Sequence, residues 1–411
     1  MKILAVALAD EAQRFVPGYP PKGAWLFLRP DIEISRLAAL CVEDQFTYLD
    51  ERVEQIQATA DFDLVLARCN FGQEEAARWL VDEFARAKQP VVLFGPGVTA
   101  WGENPPSWVT NRVKGDITLV FDEIRNDASR HRLKPLYESP HQPNYVVPKY
   151  GMGKRPVMNT VYQTAQFVRG CFCWEPLRLL CPEYLYYREN TRLRRKEEVV
   201  GEILSLPGKH IHLLDEDISC FPEYYYDLFK ILWNYRRHWS VNAGERLFRY
   251  PDFIRLLAKA GTKIVFLNDT FLTVRLKTAL TSEKMAKQLY RRVKFLQSRR
   301  ILVGAKLTLN IEEKNFNEIA HLLSRIDLDF VEVRFITEEP DGKKHLVPLA
   351  YRPMLKPDDP TWVKNHFYAL SALIDRFIRR PRRVGFYSTA AYLIPYSLAY
   401  RQNFLEGIPY P

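Results

Sequence analysis

Three of the six cysteines in this chain, Cys171, Cys173 and Cys181, fall within eleven residues. Thiolates crowded onto one loop suit a soft metal centre, because each gives up its proton to the metal and the metal cancels their mutual repulsion. Cys41, Cys69 and Cys220 stand alone, and an isolated cysteine is ordinarily a small buried apolar side chain. The eight histidines include no His-x-x-x-His pair, which argues against zinc. A second set of polar residues recurs where apolar runs end: Asp215 and Asp217, Ser240 and Asn242, Asp269 and Thr270, and Asn310. Carboxylates in such places either fix a polar ligand or cap the helix that follows.

The elements that must carry these residues can be read from periodicity. Lys2 to Leu8, Asp63 to Ala67 and Pro90 to Phe94 are apolar runs of strand length, and amphipathic helices are expected at Glu33 to Leu40 and Glu74 to Ala87. This alternation is that of a doubly wound sheet. The third run leads into Gly95-Pro96-Gly97, and a glycine turn at the carboxyl end of a parallel strand lets a ligand approach the backbone, or is simply a turn. Prolines at 135, 140, 143, 148 and 156 describe an extended linker. A strand at about Thr160 to Val168 precedes the cysteines, and beyond them strands and helices alternate from Lys196 to Ile336. That series favours a complete or partial parallel barrel, whose polar strand ends share one face. The expected divisions are residues 1–130, a linker at 131–160, a barrel over 161–345 and an extension over 346–411 with a helix at Trp362 to Arg379.

Composition sets outer bounds. With 47% hydrophobic and 26% charged residues among 411, the chain is of globular type with room for two or three domains. No apolar run approaches the length that crosses a bilayer, and the first residues turn acidic too soon for a secretion signal, so a cytoplasmic protein is expected. The net charge is +10, with the basic residues spread through the chain and locally clustered at Arg192 to Lys196, Arg291 to Arg300 and Arg379 to Arg383. Solvated helix faces and an anionic small-molecule pocket account for it more simply than a nucleic-acid partner.

Taken in order, Val91 to Thr99, the prolines from Pro135 to Pro156, Arg169-Gly170-Cys171, Lys196 to Ile203 and Leu214 to Asp217 resemble the radical S-adenosylmethionine superfamily, and within it the members with an amino-terminal cobalamin-binding domain. The resemblance covers about residues 1 to 340. It implies an α/β chain with a doubly wound, Rossmann-like cobalamin-binding-type domain followed by a complete or partial (β/α) TIM-like barrel. It implies a [4Fe-4S] cluster on Cys171, Cys173 and Cys181, with one iron open to S-adenosylmethionine. Asp215, Asp217, Ser240, Asn242, Asp269, Thr270 and Asn310 would contact S-adenosylmethionine, and a carboxylate such as Asp269 can accept two vicinal ribose hydroxyl protons. Arg68, Cys69, Asn70, Gly95 and Gly97 would line the cobalamin.

Two features depart from the family. Its usual loop has three and then two residues between cysteines, whereas here one and then seven intervene; and no Asp-x-His-x-x-Gly motif supplies histidine to cobalt. The implied activity is methyl transfer to an unactivated carbon of a small-molecule substrate, through a deoxyadenosyl radical and methylcobalamin, with an external electron donor such as flavodoxin or ferredoxin. A radical cyclase or rearrangement enzyme is the alternative within the superfamily. Outside it, the alternative is a corrinoid- or nucleic-acid-binding protein whose loop no longer supports radical chemistry.

Overall fold

The computed structural model describes residues 1–9, 31–59, 61–152, 163–170, 182–268, 281–310, 316–338 and 344–347. They fall into two compact units, Met1–Asn159 with Val168–Arg194, and Thr160–Phe167 with Arg195–Pro411. Cys171, Cys173, Cys181, Asp269, Thr270 and the expected helix at 362–379 lie outside the described residues.

In the first unit β1 (Lys2–Ala7), α1 (Ile32–Leu40), β2 (Gln45–Asp50), β3 (Leu64–Arg68), α2 (Glu74–Arg86), β4 (Val91–Phe94), α3 (Pro96–Ala100), β5 (Arg112–Lys114), α4 (Phe121–Ser129) and β6 (Leu136–Glu138) follow one another. The strands pair in parallel in the order β2-β1-β3-β4-β5-β6. The central strands are unbroken apolar runs because both of their faces are covered. Ile3, Ala5, Leu64, Leu66, Val92 and Phe94 pack with residues of α1 and α4. Leu4, Val6, Val65, Ala67 and Leu93 pack with residues of α2. The order reverses between β1 and β3, and a doubly wound sheet opens its ligand crevice beyond the carboxyl ends at such a reversal.

The stretch expected as a linker contributes to this unit. Leu136–Glu138 is the sixth strand, and Lys149 N–H donates to Ser35 O at 2.9 Å. Tyr145 lies beneath the Arg194 guanidinium at 3.3 Å, with Arg36 at 5.1 Å. Pro135 and Pro140 are exposed on the surface of this unit, while Pro148 is buried in it. The unit also takes in β8 (Val168–Arg169), α5 (Pro182–Tyr187) and β9 (Arg192–Leu193), of which β8 and β9 form an antiparallel pair.

The second unit is one sheet whose parallel strands stand in chain order, β7 (Gln163–Ala165), β10 (His210–Leu213), β11 (His238–Ala243), β12 (Thr262–Leu267), β13 (Leu302–Asn310) and β14 (Phe330–Glu338), with β15 (Lys344–Val347) antiparallel at the edge. Between them come α6 (Lys196–Ser205), α7 (Pro222–Leu232), α8 (Pro251–Lys259), α9 (Glu283–Gln297) and α10 (Phe316–Arg325). On one face Trp239 meets Phe229 of α7 edge-on at 5.4 Å, and Phe229 meets Phe253 of α8. Among the described residues no helix is long and apolar enough to cross a membrane.

His210 and His238 open adjacent strands, stacked with ring centroids 5.0 Å apart. Burial, then the neighbouring His238 and Lys209, push His210 down to about 4, and burial with Lys263 and Lys209 lowers His238 as well. Below pH about 6.5 the unfolded chain takes up protons that the folded pair refuses, so stability falls as pH drops towards 4. Melting curves should show that loss, with a shallower pH slope in His210→Phe, which keeps the stack and removes a titrating ring. An unchanged slope in the variant would refute the assignment.

Candidate functional site

The clustered cysteines are bounded on both sides by described residues, and those flanks are tied together. Gly170 has φ +93°, a left-handed backbone that favours glycine. A Cβ there would run into Asn190 O and lie 2.8 Å from Thr191 Cα. Its N–H donates to Glu183 Oε2 at 2.7 Å, so one hydrogen bond closes the base of the loop over residues 171–181.

That base is rooted in a buried charged group. Arg169 is 1% exposed and faces Asp116 at 3.3 Å and Glu183 at 3.5 Å. Its Nη2 also donates to the Tyr187 hydroxyl, which in turn donates to Asp116. Burial works to raise the Asp116 carboxyl, but Arg169, Tyr187 and Thr118 outweigh it and hold the group ionised below the usual carboxylate range. Asp116 follows β5, and its N–H is received by Ser139 Oγ at 2.8 Å, beyond β6. The preceding Gly115 donates to Thr99 Oγ1 at 3.0 Å. On the far side of the loop, Leu185, Tyr186 and Tyr187 of α5 pack against Phe71, beyond β3. Both ends of the segment that carries the cysteines are therefore fastened at the carboxyl edge of the first sheet.

The donor set and its surroundings fit an iron-sulfur cluster. Three thiols fall within one eleven-residue segment of the sequence whose flanks are hydrogen-bonded to each other. Arg169 Nη1 is buried with no hydrogen-bond partner among the described residues, a cationic donor two positions from the first thiol. Asp116 is the contributor that sequence reading missed, since nothing local marks a partner 53 positions away in the chain.

The residues expected around a corrinoid come together at the ends of β3 and β4, and they are engaged with one another. Arg68 pairs with Asp31 and Glu33 at 2.8 Å each and donates to Asn70 Oδ1. Burial lowers the Arg68 pKa, but Asp31, Glu33 and Tyr186 carry it above its ordinary value. Asp31 caps α1 by accepting from Glu33 N and Ile34 N. Cys69 is fully buried; its N–H donates to Phe94 O at 2.8 Å and its carbonyl accepts from Gly97 N at 3.1 Å. A Cβ on Gly95 would lie 2.6 Å from Cys69 O, and one on Gly97 would overlap Asn70 O. Both glycines are thus required by the approach of two neighbouring loops. Asn70 N–H is received by Gln73 Oε1, whose amide donates to Leu8 O beyond β1, so the network shapes the crevice between β1 and β3.

In the second unit, Asp215 is buried and accepts from Phe167 N at 3.0 Å and the Tyr225 hydroxyl at 2.7 Å. Asp217 accepts from Ser219 N and Gly244 N at 2.8 and 2.9 Å, and Asn268 Nδ2 lies 3.4 Å from its second oxygen. These carboxylates fasten neighbouring strand ends together. Asn242 donates to Asp215 O at 2.9 Å, while its Oδ1 is buried without a hydrogen-bond partner. Ser240 lies inside β11, where its hydroxyl meets His212 Nδ1 at 2.6 Å. Asn310 ends β13.

Register puts Thr164, His212 and Ser240 side by side, each at most 4% exposed. A parallel sheet covered by apolar layers has no need of such a row. His212 was overlooked by sequence reading, although its two-residue spacing from His210 signals a shared face.

No family model matches the sequence, and no curated protein does. Among solved structures, the fold is similar to that of the radical S-adenosylmethionine methyltransferase TsrM from Kitasatospora setae with cobalamin and a [4Fe-4S] cluster bound. That likeness has a TM-score of 0.57 at 15% identity, over 82% of this chain and 75% of that one. TsrM with tryptophan substrate and the analogue aza-SAM gives 0.53 at 14% identity, over 81% and 72%. The cobalamin-dependent S-adenosylmethionine radical enzyme OxsB with aqua-cobalamin and S-adenosylmethionine bound gives 0.49 at 12% identity, over 92% and 56%. The chain has the α/β fold with parallel sheets that TsrM has.

Removing the Tyr187 hydroxyl should loosen the loop without opening a cavity. Tyr187→Phe is expected to cost about 1–3 kcal/mol, and Gly170→Ala a similar amount. Both should speed proteolytic cleavage between residues 171 and 181. Wild-type cleavage rates in both variants would contradict the proposed closure.

Proposed function

We propose that this chain is a cobalamin-dependent radical S-adenosylmethionine enzyme, a methyltransferase acting on an unactivated carbon of a small molecule. One observation carries the reading: the sequence segment that holds three cysteines is flanked by Gly170 and Glu183, which are hydrogen-bonded to each other and tied through Arg169 to Asp116 at the carboxyl edge of a doubly wound sheet. The fold likeness to TsrM, solved with cobalamin and a [4Fe-4S] cluster, supports it.

In this reading Cys171, Cys173 and Cys181 hold the cluster, and the unequal spacing is accommodated because the loop is fixed at its base. Arg169 brings positive charge to an anionic centre, and Asp116 and Tyr187 hold the guanidinium in position. Asn242 offers its buried Oδ1 to a donor on S-adenosylmethionine. Asp215 and Asp217 act on that ligand by fixing the strand ends, with Asp269, Thr270, Ser240 and Asn310 as the remaining contacts. Arg68, Cys69, Asn70, Gly95 and Gly97 shape the crevice for the corrinoid. When bound, the three cofactors supply reductive cleavage, hydrogen-atom abstraction and the transferred methyl group, and the protein supplies their placement. Electrons come from an external donor such as flavodoxin or ferredoxin.

Anaerobic reconstitution should load about four irons per chain, and reductant with S-adenosylmethionine should then release deoxyadenosine. Cys171→Ala, Cys173→Ala and Cys181→Ala should each abolish both. Added cobalamin should travel with the protein through gel filtration. Fewer than about three irons per chain, or no deoxyadenosine from the loaded protein, would overturn the reading.

A further inference from the structure

At the end of the second unit opposite its polar strand ends, Lys209, Arg236 and Arg300 lie on the turns that lead into β10, β11 and β13, Lys259 ends α8 and Lys263 is the second residue of β12. Register sets these turns side by side, with His210 opposite His238, Trp239 opposite Thr262 and Ile264 opposite Leu302. Several cations elsewhere on this unit are compensated: Lys196 by Asp227, Arg292 by Glu245, Lys294 by Asp327 and Arg325 by Glu283. Among the described residues, none of the five edge cations has a carboxylate within ion-pair distance. Helix dipoles favour cations in a last helical turn, which accounts for Lys259 alone, since the others lie beyond helix ends.

Aromatic rings are interleaved with these charges. Trp233 and Tyr235 are 47% and 37% exposed on the turn before β11, and Lys259 Nζ lies 5.6 Å from the Trp233 ring centroid. Uncompensated cations beside exposed flat rings are what single-stranded nucleic acid requires, phosphates meeting the charges and bases stacking on the rings. An acidic protein would need an apolar centre, and protein interfaces are depleted in lysine, whereas lysines are three of the five cations here.

We propose that this edge binds single-stranded nucleic acid, apart from the cofactor site and independently of it. The test is fluorescence anisotropy of a labelled twelve-residue oligothymidylate or oligouridylate with the full chain. Binding in the micromolar range at 50 mM salt should weaken about 50- to 100-fold by 200 mM, as four or five phosphate contacts predict. Lys209→Glu with Lys259→Glu and Lys263→Glu should lower affinity at least about tenfold and flatten the salt dependence. Trp233→Ala with Tyr235→Ala should lower it about fivefold or more with the salt slope unchanged. Lys284→Glu with Lys287→Glu, on α9, is the control, and melting curves of each variant report folding. An equal loss in the control would overturn the proposal in favour of diffuse charge. Polyglutamate competing as well as the oligonucleotide would overturn it in favour of an acidic protein.

Discussion

Arg169 is a buried cation adjoining the glycine that opens the cysteine loop, and its burial is tolerable only because Asp116, Tyr187 and Glu183 converge on it. Taking a guanidinium and a carboxylate out of water costs several kcal/mol per ion, which paired geometry must offset. The group therefore has one low-energy arrangement, and that arrangement fixes both ends of the loop. Asp116 passes the constraint on to the first sheet through Ser139, while Tyr187 sits on the helix that packs against Phe71. A cluster ligand set on a slack loop would be a poor scaffold, since positions must be held by locked neighbours. The placement of the two flanks thus derives from the domain that holds them.

The same economy governs the strand ends. Gly95 and Gly97 invite a ligand-cradle interpretation, yet the space a Cβ would fill already holds Cys69 and Asn70 backbone. Asp215 and Asp217 carry charge to the mouth of the second sheet, yet their oxygens accept from Phe167, Tyr225, Ser219 and Gly244. Such residues hold neighbouring loops and strand ends together. Asn242 differs, because its Oδ1 stays buried and unmatched, and an unmatched buried acceptor costs free energy that a ligand donor recovers.

How much of this was legible in sequence follows from the range of each interaction. Ile3 to Val6, Leu64 to Ala67 and Val91 to Phe94 were readable because strands covered on both faces are written as unbroken apolar runs. β2 escaped because it is a partly exposed edge strand, and β5 and β6 because three residues hold no periodicity. The cysteine trio declared itself by local spacing. Its anchor did not, since Asp116 lies 53 positions from Arg169 and 71 from Tyr187. His212 was concealed for another reason: a histidine in a strand has the look of a core residue until register aligns it with Thr164 and Ser240.

Anomalous diffraction at the iron edge, from anaerobically purified and reconstituted crystals, tests the central claim most directly. The account predicts iron density inside the loop between Gly170 and Glu183, bonded to Cys171, Cys173 and Cys181, with the Gly170–Glu183 hydrogen bond intact beneath it. Zinc in that position, or iron-free cysteines joined to each other as a disulfide, would contradict it.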